Sequence, residues 1–370
     1  CGRGKWGLPI IFWGQPGIGK SAIIEALGEP FGLPVYTLSP AEQGEGAFGV
    51  IPVPDKNAEY IKYPIPEWAH GFINSKRGLL FLDEIQFAAG TQMEKPLLRL
   101  ARERAIGARM LPGGVRILSA ANPPDISGGL EMLEALENRY GHTDVLFDFD
   151  AWKRWVRSGA NGFVGVPKLD PQAEEDRVEL LWASAYKSAW TLVIAFLETH
   201  QHLSAPKSSE PSFHGKRARP SPRTWEYAVR AMAGAGIHGL STSETEEFYS
   251  MFIGIETGAQ LAAYIERLDL PTPQDALAGR WTHNPLRLDV TSIVLQSCTA
   301  YVVGTKDPQD VKALWNLCDS LCDDGLADMI IPVEEVLVTS GMSTENKIHS
   351  AIAEKVLVRT RRTLKTVKEA

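Results

Sequence analysis

The chain has 370 residues, of which 44% are hydrophobic and 22% charged, and its formal net charge is −7 at pH 7. A chain of this length and apolar content can bury a large core in one or two domains, so an intrinsically disordered protein is excluded. The negative charge argues against a general nucleic-acid coat, and no apolar run has the length of a transmembrane helix, so no membrane partner is expected.

Short apolar runs alternate with helical patterns in the first part of the chain. They predict buried strands at 8–13, 33–39, 78–85, 115–122 and 142–149. Strands separated by helices predict a parallel α/β sheet. From about residue 151 the strand signals end, and the remaining patterns predict helices at 173–202, 223–234, 243–268, 287–302 and 308–325.

The segment GQPGIGKS follows the first predicted strand and precedes a helical pattern. Its glycines permit a tight turn whose N–H groups face phosphate oxygens, and the helix adds its positive dipole end. We therefore expect Lys20 to bind ATP phosphates and Ser21 to bind Mg²⁺, the alternative being a Gly-rich turn without a ligand. The predicted nucleotide-binding residues are Gly14, Gln15, Pro16, Gly17, Ile18, Gly19, Lys20, Ser21 and Ala22.

Polar residues end the third and fourth predicted strands. In LLFLDEI, Asp83 is predicted to orient Mg²⁺ and Glu84 to act as the base that activates the attacking water. In ILSAANPP, Asn122 is predicted to hydrogen-bond the γ-phosphate and that water. Adjacent acids also form solvated turns, and Asn before Pro is a common turn former. Their order along the chain after the phosphate loop favours the catalytic interpretation.

The helical part contains a polar segment rich in Pro and Ser at 204–222, which predicts a mobile loop, and the chain ends in a basic tail at 342–370. Cys318 and Cys322 lie one helical turn apart, as a redox pair would, but their apolar surroundings favour burial. With four cysteines, no metal-type spacing and no signal peptide, the chain is expected to be cytoplasmic.

Five motifs in order, GQPGIGKS, LLFLDEI, ILSAANPP, LEALENRY and PSPRTWEYAV, resemble the MoxR-type branch of the AAA+ ATPases over nearly the whole chain. The resemblance implies a P-loop NTPase domain with a five-stranded parallel sheet at 1–157 and an all-helical lid domain at 158–341. It also implies an insert at about 44–68, with an interrupted helix and a hairpin near Asp55, and a second hairpin at about 105–115. Both hairpins are implicated in partner or substrate contact, and surface decoration is the alternative.

Two arginines acquire roles from the resemblance. Arg139 matches the arginine finger that reaches the ATP site of the neighbouring subunit, and Arg223 matches the sensor that contacts the γ-phosphate in cis. The alternatives are a cation favoured at a helix C-terminus for Arg139 and an ion pair with Glu226 for Arg223. A cation at a helix N-terminus is locally unfavourable, which independently indicates that Arg223 faces an anion.

The function implied by the resemblance is a Mg²⁺-dependent ATPase that works as a homo-hexameric ring and remodels or activates a protein client, often one with a von Willebrand factor A domain. One alternative is a nucleic-acid-stimulated motor that uses the basic loop and tail, including Arg219, with Trp152 or Trp155 as stacking surfaces. Another is an ATP-binding scaffold without turnover. No nucleic-acid recognition module is found, and Glu84 and Arg139 are present, so protein remodelling is favoured.

Overall fold

A computed structural model of the chain describes residues 7–48, 51–57, 59–126, 132, 134–159, 170–205, 218–268 and 270–342. The strands are β1 (Ile10–Trp13), β2 (Val35–Leu38), β3 (Val53–Pro54), β4 (Ile61–Lys62), β5 (Arg77–Leu82), β6 (Ala105–Ile106), β7 (Arg109–Met110), β8 (Gly114–Ala121) and β9 (Gly141–Asp144). The α-helices up to the longest one are α1 (Lys20–Leu27), α2 (Pro40–Gln43), α3 (Glu67–Ser75), α4 (Glu94–Glu103), α5 (Glu134–Glu137), α6 (Phe149–Arg157) and α7 (Pro171–Thr199). After it come α8 (Pro222–His238), α9 (Thr242–Ile253), α10 (Ile255–Glu266), α11 (Pro273–Leu277), α12 (Leu288–Thr305), α13 (Pro308–Asp323) and α14 (Ile331–Thr339).

Five strands form one parallel sheet in the order β2, β5, β8, β1, β9. In β1, Ile10 lies opposite Leu118 of β8 on one side and Gly141 of β9 on the other. Five of the six residues of β5 are buried, because a parallel sheet is covered on both faces. All five predicted strands are confirmed, with ends that differ by a few residues, and so is the predicted α/β class with a helical C-terminal part.

The segment at 44–68, predicted to be an insert, includes a 3₁₀ turn and a hairpin and comes directly after helix α2. Helix α2 is followed by a 3₁₀ turn at Glu45–Phe48, and β3 and β4 then pair antiparallel. The Asp55 N–H donates to the Tyr60 carbonyl at 2.9 Å, and Lys62 forms an ion pair with Asp55. Large apolar side chains on and beside this hairpin are exposed: Ile51, Val53, Tyr60, Ile61 and Tyr63.

The second predicted hairpin is formed by β6 and β7, where Ala105 pairs with Met110. Arg104 precedes it with its side chain buried, and its Nη2 donates to the carbonyl oxygens of Pro112 at 3.1 Å and Val115 at 2.6 Å. A buried guanidinium needs such acceptors to offset the loss of its hydration. Arg104 therefore ties the hairpin to the start of β8.

The chain divides into two compact units. The first comprises Cys1–Glu175, Ala205–Tyr227 and Ser250–Ile255, and the second comprises Asp176–Ser204, Ala228–Tyr249 and Glu256–Ala370. The division differs from the predicted boundary after residue 157, because two later segments return to the sheet unit. The Ser221 hydroxyl lies 3.5 Å from Asn138 Oδ1, and the Phe252 ring packs closely against Gly141. The predicted mobile loop and basic tail fall largely on residues 206–217 and 343–370, outside the described residues.

Gly254 divides the helix predicted at 243–268 into α9 and α10. Its φ of 85° is left-handed, which ends a right-handed helix and favours glycine. A Cβ at this position would lie 2.8 Å from the Ala218 carbonyl oxygen, so space also requires glycine. A single helix over this range was therefore the wrong prediction, since periodicity alone did not reveal the break.

The second unit has its own apolar core. Trp315, Cys298 and Cys318 are among its fully buried members, and Cys322 is also buried. Burial raises the pKa of the Cys298 thiol to about 12, and that of Cys318 is raised by burial and by nearby acidic groups. All three cysteines are buried and none forms a disulfide with another described residue, so the predicted burial of Cys318 and Cys322 is confirmed.

One described helix, α7, is long and apolar enough to cross a membrane by length and composition. Eight of its residues are buried within the protein, including Trp182, Leu192 and Phe196. A core helix of a folded domain passes the same test, and α7 packs as one.

Candidate nucleotide-binding site

The predicted phosphate loop connects the end of β1 to the start of α1. Gly14 donates its N–H to the Ala121 carbonyl at 3.2 Å, which joins the loop to the end of β8. Gly17 and Gly19 have φ values of 79° and 96°, a left-handed conformation that points successive N–H groups into one concavity. A Cβ on Gly14 would lie 2.8 Å from the Val145 carbonyl oxygen, so this glycine is required by space. These features fit a turn that binds an anion at the N-terminus of α1.

Lys20 is buried at the first position of α1. Its ammonium donates to the Gly14 carbonyl at 2.8 Å, the Gln15 carbonyl at 3.0 Å and Asn122 Oδ1 at 2.9 Å. Burial lowers the pKa of this ammonium, and the carboxylates of Asp83 and Glu84 oppose the shift. The Lys20 side chain is thus held in the concavity, close to both predicted acids.

Ser21 and Asp83 meet as the sequence predicts. The Ser21 hydroxyl donates to Asp83 Oδ2 at 2.7 Å, although the two residues come from different elements. A hydroxyl and a carboxylate are the hard oxygen ligands that Mg²⁺ takes together with substrate phosphates. In the described part of the chain, no three His, Cys, Asp or Glu residues cluster closely enough to hold a metal ion alone. The pair therefore fits a Mg²⁺ ion that a nucleotide helps to bind, but not a metal site made only of side chains.

Glu84 is exposed and adopts a left-handed conformation with φ 53° and ψ 39°, which is uncommon for a residue with a side chain. Its N–H donates to Asp83 Oδ1 at 2.9 Å. The chain turns sharply here, from the buried strand β5 into a 3₁₀ turn at Ile85–Ala88. The turn directs the Glu84 side chain to solvent, where a water molecule can approach it.

The site lies at the carboxyl ends of three adjacent strands. The phosphate loop follows β1, Asn122 follows β8 and Asp83 follows β5, and these strands are neighbours in the sheet. Ligands of open α/β sheets bind outside this edge. The sequence therefore predicted correctly that Lys20, Ser21, Asp83, Glu84 and Asn122 come together, and the P-loop fold is confirmed.

Arg139 lies two residues before β9, at the amino end of this edge strand. Its guanidinium donates to the Ala135 carbonyl, and its Nε is buried without a hydrogen-bond partner among the described residues. Burial lowers the pKa of Arg139, and the positive charges of Arg223 and Arg102 lower it further, while Tyr227 opposes the shift. Among the described residues, the charged or titratable groups that influence Arg139 are thus Arg223, Tyr227 and Arg102, and none of them belongs to the phosphate loop.

Arg223 is exposed in the first turn of α8. Ser221 and Thr224 cap this helix reciprocally, with the Ser221 N–H 2.8 Å from Thr224 Oγ1 and the Thr224 N–H 3.2 Å from Ser221 Oγ. Since Ser221 also contacts Asn138, this first turn lies beside the residue that precedes Arg139. The structure therefore brings Arg223 close to Arg139, a proximity that the sequence did not indicate.

Two residues near the site had no sequence signal. Arg102 is exposed at the end of α4, and it lies near Arg139 only because folding brings these distant segments together. Gln86 follows Glu84 closely and is fully buried, and neither of its amide atoms has a hydrogen-bond partner among the described residues. An unpaired buried amide is costly, so Gln86 is an unusual neighbour for Glu84.

No protein-family model matches the chain, and no curated protein matches it. Among solved structures 144 chains match, and one of them is the crystal structure of a "putative ATPase" from Cytophaga hutchinsonii. That protein is 14% identical to this chain, the match covers 70% of this chain and 84% of that one, and the TM-score is 0.44. Functional assignment therefore depends on the geometry of the site.

Proposed function

We propose that the chain is a Mg²⁺-dependent ATPase of the AAA+ type. One observation supports this most: the two functional side chains of the phosphate loop are each bonded to the polar residue that ends another strand. Lys20 Nζ is 2.9 Å from Asn122 Oδ1, and Ser21 Oγ is 2.7 Å from Asp83 Oδ2. A Gly-rich turn that binds no ligand would not require polar residues from two other strands to contact its lysine and serine.

In the proposed hydrolysis of ATP, each group of the site has a separate role. The N–H groups of the loop and the N-terminus of α1 bind the phosphates, and Lys20 supplies a positive charge beside them. Mg²⁺, when bound through Ser21 and Asp83, neutralises charge that develops on the phosphoryl oxygens. Glu84 accepts a proton from the attacking water, and the Asn122 amide orients that water.

The finer assignment is a MoxR-like ring, for which a hexamer is the expected form. Arg139, with an N–H still to be satisfied, completes the ATP site of the next subunit, and Arg223 senses the γ-phosphate. The positive charge of Arg223 lowers the pKa of Arg139, and a phosphate beside either arginine would offset this repulsion.

The proposed task is chaperone-like remodelling or activation of a protein client, and a von Willebrand factor A domain protein is one candidate. Exposed apolar side chains on the β3–β4 hairpin, such as Tyr60 and Ile61, support a protein client. Arg219, a candidate for nucleic-acid contact, forms an ion pair with Glu134. We propose the cytoplasm as the location.

A trapping experiment tests this function. Because Glu84→Gln removes the base and keeps the phosphate loop, this variant should hold ATP and retain its client during affinity purification. Lys20→Ala, which should not bind ATP, is the matched control. Client proteins retained only by Glu84→Gln support remodelling. If only nucleic acid is retained and ATPase activity rises with DNA or RNA in a salt-sensitive way, the motor alternative is correct. ATP binding without phosphate release, even at high protein concentration, favours the scaffold.

A further inference from the structure

His142, on the edge strand β9, joins two parts of the first unit through its two ring nitrogens. The Trp13 Nε1–H donates to His142 Nδ1 at 3.0 Å, and the two rings are stacked with 19° between their planes. His142 Nε2 lies 3.0 Å from the Glu137 carbonyl oxygen. Because an indole N–H can only donate, Nδ1 is the acceptor. In the neutral imidazole the proton then lies on Nε2, which donates it to Glu137.

Trp13 is the fixed end of this pair of hydrogen bonds. It is the last residue of β1, its side chain is buried, and Gly14 of the phosphate loop follows it directly. His142 lies opposite Ile11 in the parallel ladder, and Ile11 and Trp13 face the same side of the sheet because side chains alternate along a strand. The imidazole is therefore held by the sheet on its Nδ1 side.

The other end is the turn that carries Arg139. Helix α5 has only four residues, and so short a helix is not stable without contacts to the rest of the protein. The Glu137 carbonyl accepts the Tyr140 N–H at 3.0 Å in addition to the His142 bond. Arg139 lies between these residues, and its guanidinium donates to the Ala135 carbonyl of the same helix. The sheet thus holds the backbone of the turn from which Arg139 projects.

We propose that His142 is a positioning residue for Arg139. Leu136 also anchors α5 by its burial in the core, but an apolar contact is not directional, whereas a hydrogen bond to the Glu137 carbonyl fixes the orientation of the turn. A guanidinium that completes an active site must be placed accurately, since a misplacement of about 1 Å can cost about 10²-fold in rate. The inference rests on the finger role of Arg139 in the proposed function.

Two substitutions separate the two hydrogen bonds. In His142→Asn, Oδ1 is as many bonds from the backbone as Nδ1 and can accept from Trp13, but the bond to Glu137 is lost. In His142→Gln, Nε2 can still donate to Glu137, but Trp13 loses this acceptor. Loss of an acceptor for a buried N–H costs stability, whereas the Glu137 carbonyl keeps the Tyr140 N–H. His142→Gln should therefore be the less stable of the two variants.

ATP turnover should follow the opposite order. In full-length His142→Asn, kcat should fall by about 10- to 10²-fold with an unchanged KM for ATP, because only the finger is displaced. His142→Gln should recover most of the turnover. Steady-state phosphate release and denaturant unfolding measure the two orders. His70→Asn, at an exposed position on α3, is the matched control and should behave like the unmodified chain in both measurements.

Mixing subunits shows which ATP site is affected. His142→Asn mixed with Lys20→Ala should regain part of the turnover, because the Lys20→Ala subunits supply a correctly held Arg139 to the intact phosphate loops. His142→Asn mixed with Arg139→Ala should stay inactive, since neither variant supplies a working finger.

Three results would overturn the inference. A lower turnover in His142→Gln than in His142→Asn would show that turnover only follows stability. A raised KM in His142→Asn, without rescue by Lys20→Ala, would place the effect in the phosphate loop of the same subunit. Full turnover of Arg139→Ala would overturn the finger role and this inference with it, while leaving the proposed ATPase activity intact.

Discussion

At the scale of single residues, Lys20 is the proposed phosphate ligand and is also an internal hydrogen-bond donor. Substituting Lys20→Ala removes three hydrogen bonds within the site and the positive charge beside the phosphates. ATP turnover should fall by about 10²–10³-fold or more, as when one preorganised donor is lost from an active site. Phosphate release and nucleotide binding measure this loss. Lys95→Ala, at an exposed position on α4, is the control and should keep full activity.

Substitution of Arg139 tests whether this residue acts in the ATP site of the neighbouring subunit. Arg139→Ala should keep ATP binding but lose turnover by about 10³-fold, since a finger supplied in trans contributes on this scale. Mixing it with Lys20→Ala subunits should restore part of the activity, because the second variant still carries Arg139. Phosphate release from the mixture measures the rescue. No rescue, with intact assembly, would contradict a role in the neighbouring site.

At the scale of elements, the conformation of the phosphate loop depends on the close packing of Gly14 against its neighbours. A Cβ on Gly14 would lie 2.5 Å from the Ile18 side chain and 2.8 Å from the Val145 backbone oxygen. Gly14→Ala should therefore destabilise the fold by about 1–3 kcal/mol and weaken ATP binding. Gly113→Ala, where a Cβ meets nothing within 4 Å, is the matched control. Denaturant unfolding compares the stabilities of the two variants. Equal stabilities would show that the loop can shift to accept a Cβ at position 14, which would contradict the prediction.

The elements also show what the sequence could predict. Five strands and the polar residues after three of them were predictable, because each depends on a short local pattern that a parallel sheet brings to one edge. The break at Gly254 and the return of Ser221 and Phe252 to the sheet unit were not, since both depend on contacts between distant segments. The proximity of Arg102, Arg139 and Arg223 has the same origin.

At the scale of the molecule, the three buried thiols report on folding of the second unit. Cys298, Cys318 and Cys322 should resist iodoacetamide in the native protein at pH 8 and react once it unfolds, because all three are buried away from the reagent. For Cys298 and Cys318 burial also raises the thiol pKa, and only a thiolate is alkylated. Mass spectrometry of the peptides that contain each cysteine measures the reaction. Rapid labelling of the native chain would contradict their burial.

The same shift gives a pH dependence. The pKa of Cys298 is raised from 9.0 to about 12 in the folded chain, so the neutral thiol is favoured by folding. Its contribution to stability should be complete below pH 9 and should decrease as pH rises from 9 to about 12, because the unfolded chain ionises first. Comparing denaturant midpoints of Cys298→Ala and the unmodified chain across this range isolates the effect.

The three acceptors around Lys20 would make the binding of the proposed nucleotide an exchange of hydrogen bonds. An ammonium has three protons, and each is already shared with an oxygen of Gly14, Gln15 or Asn122. A phosphate oxygen that binds Lys20 must replace one of these acceptors. We expect it to replace Asn122, which is the acceptor outside the phosphate loop. Release of Asn122 would leave its amide, just after β8, free to hydrogen-bond the attacking water at the moment when the triphosphate binds. Binding of the nucleotide and positioning of the water would then be coupled.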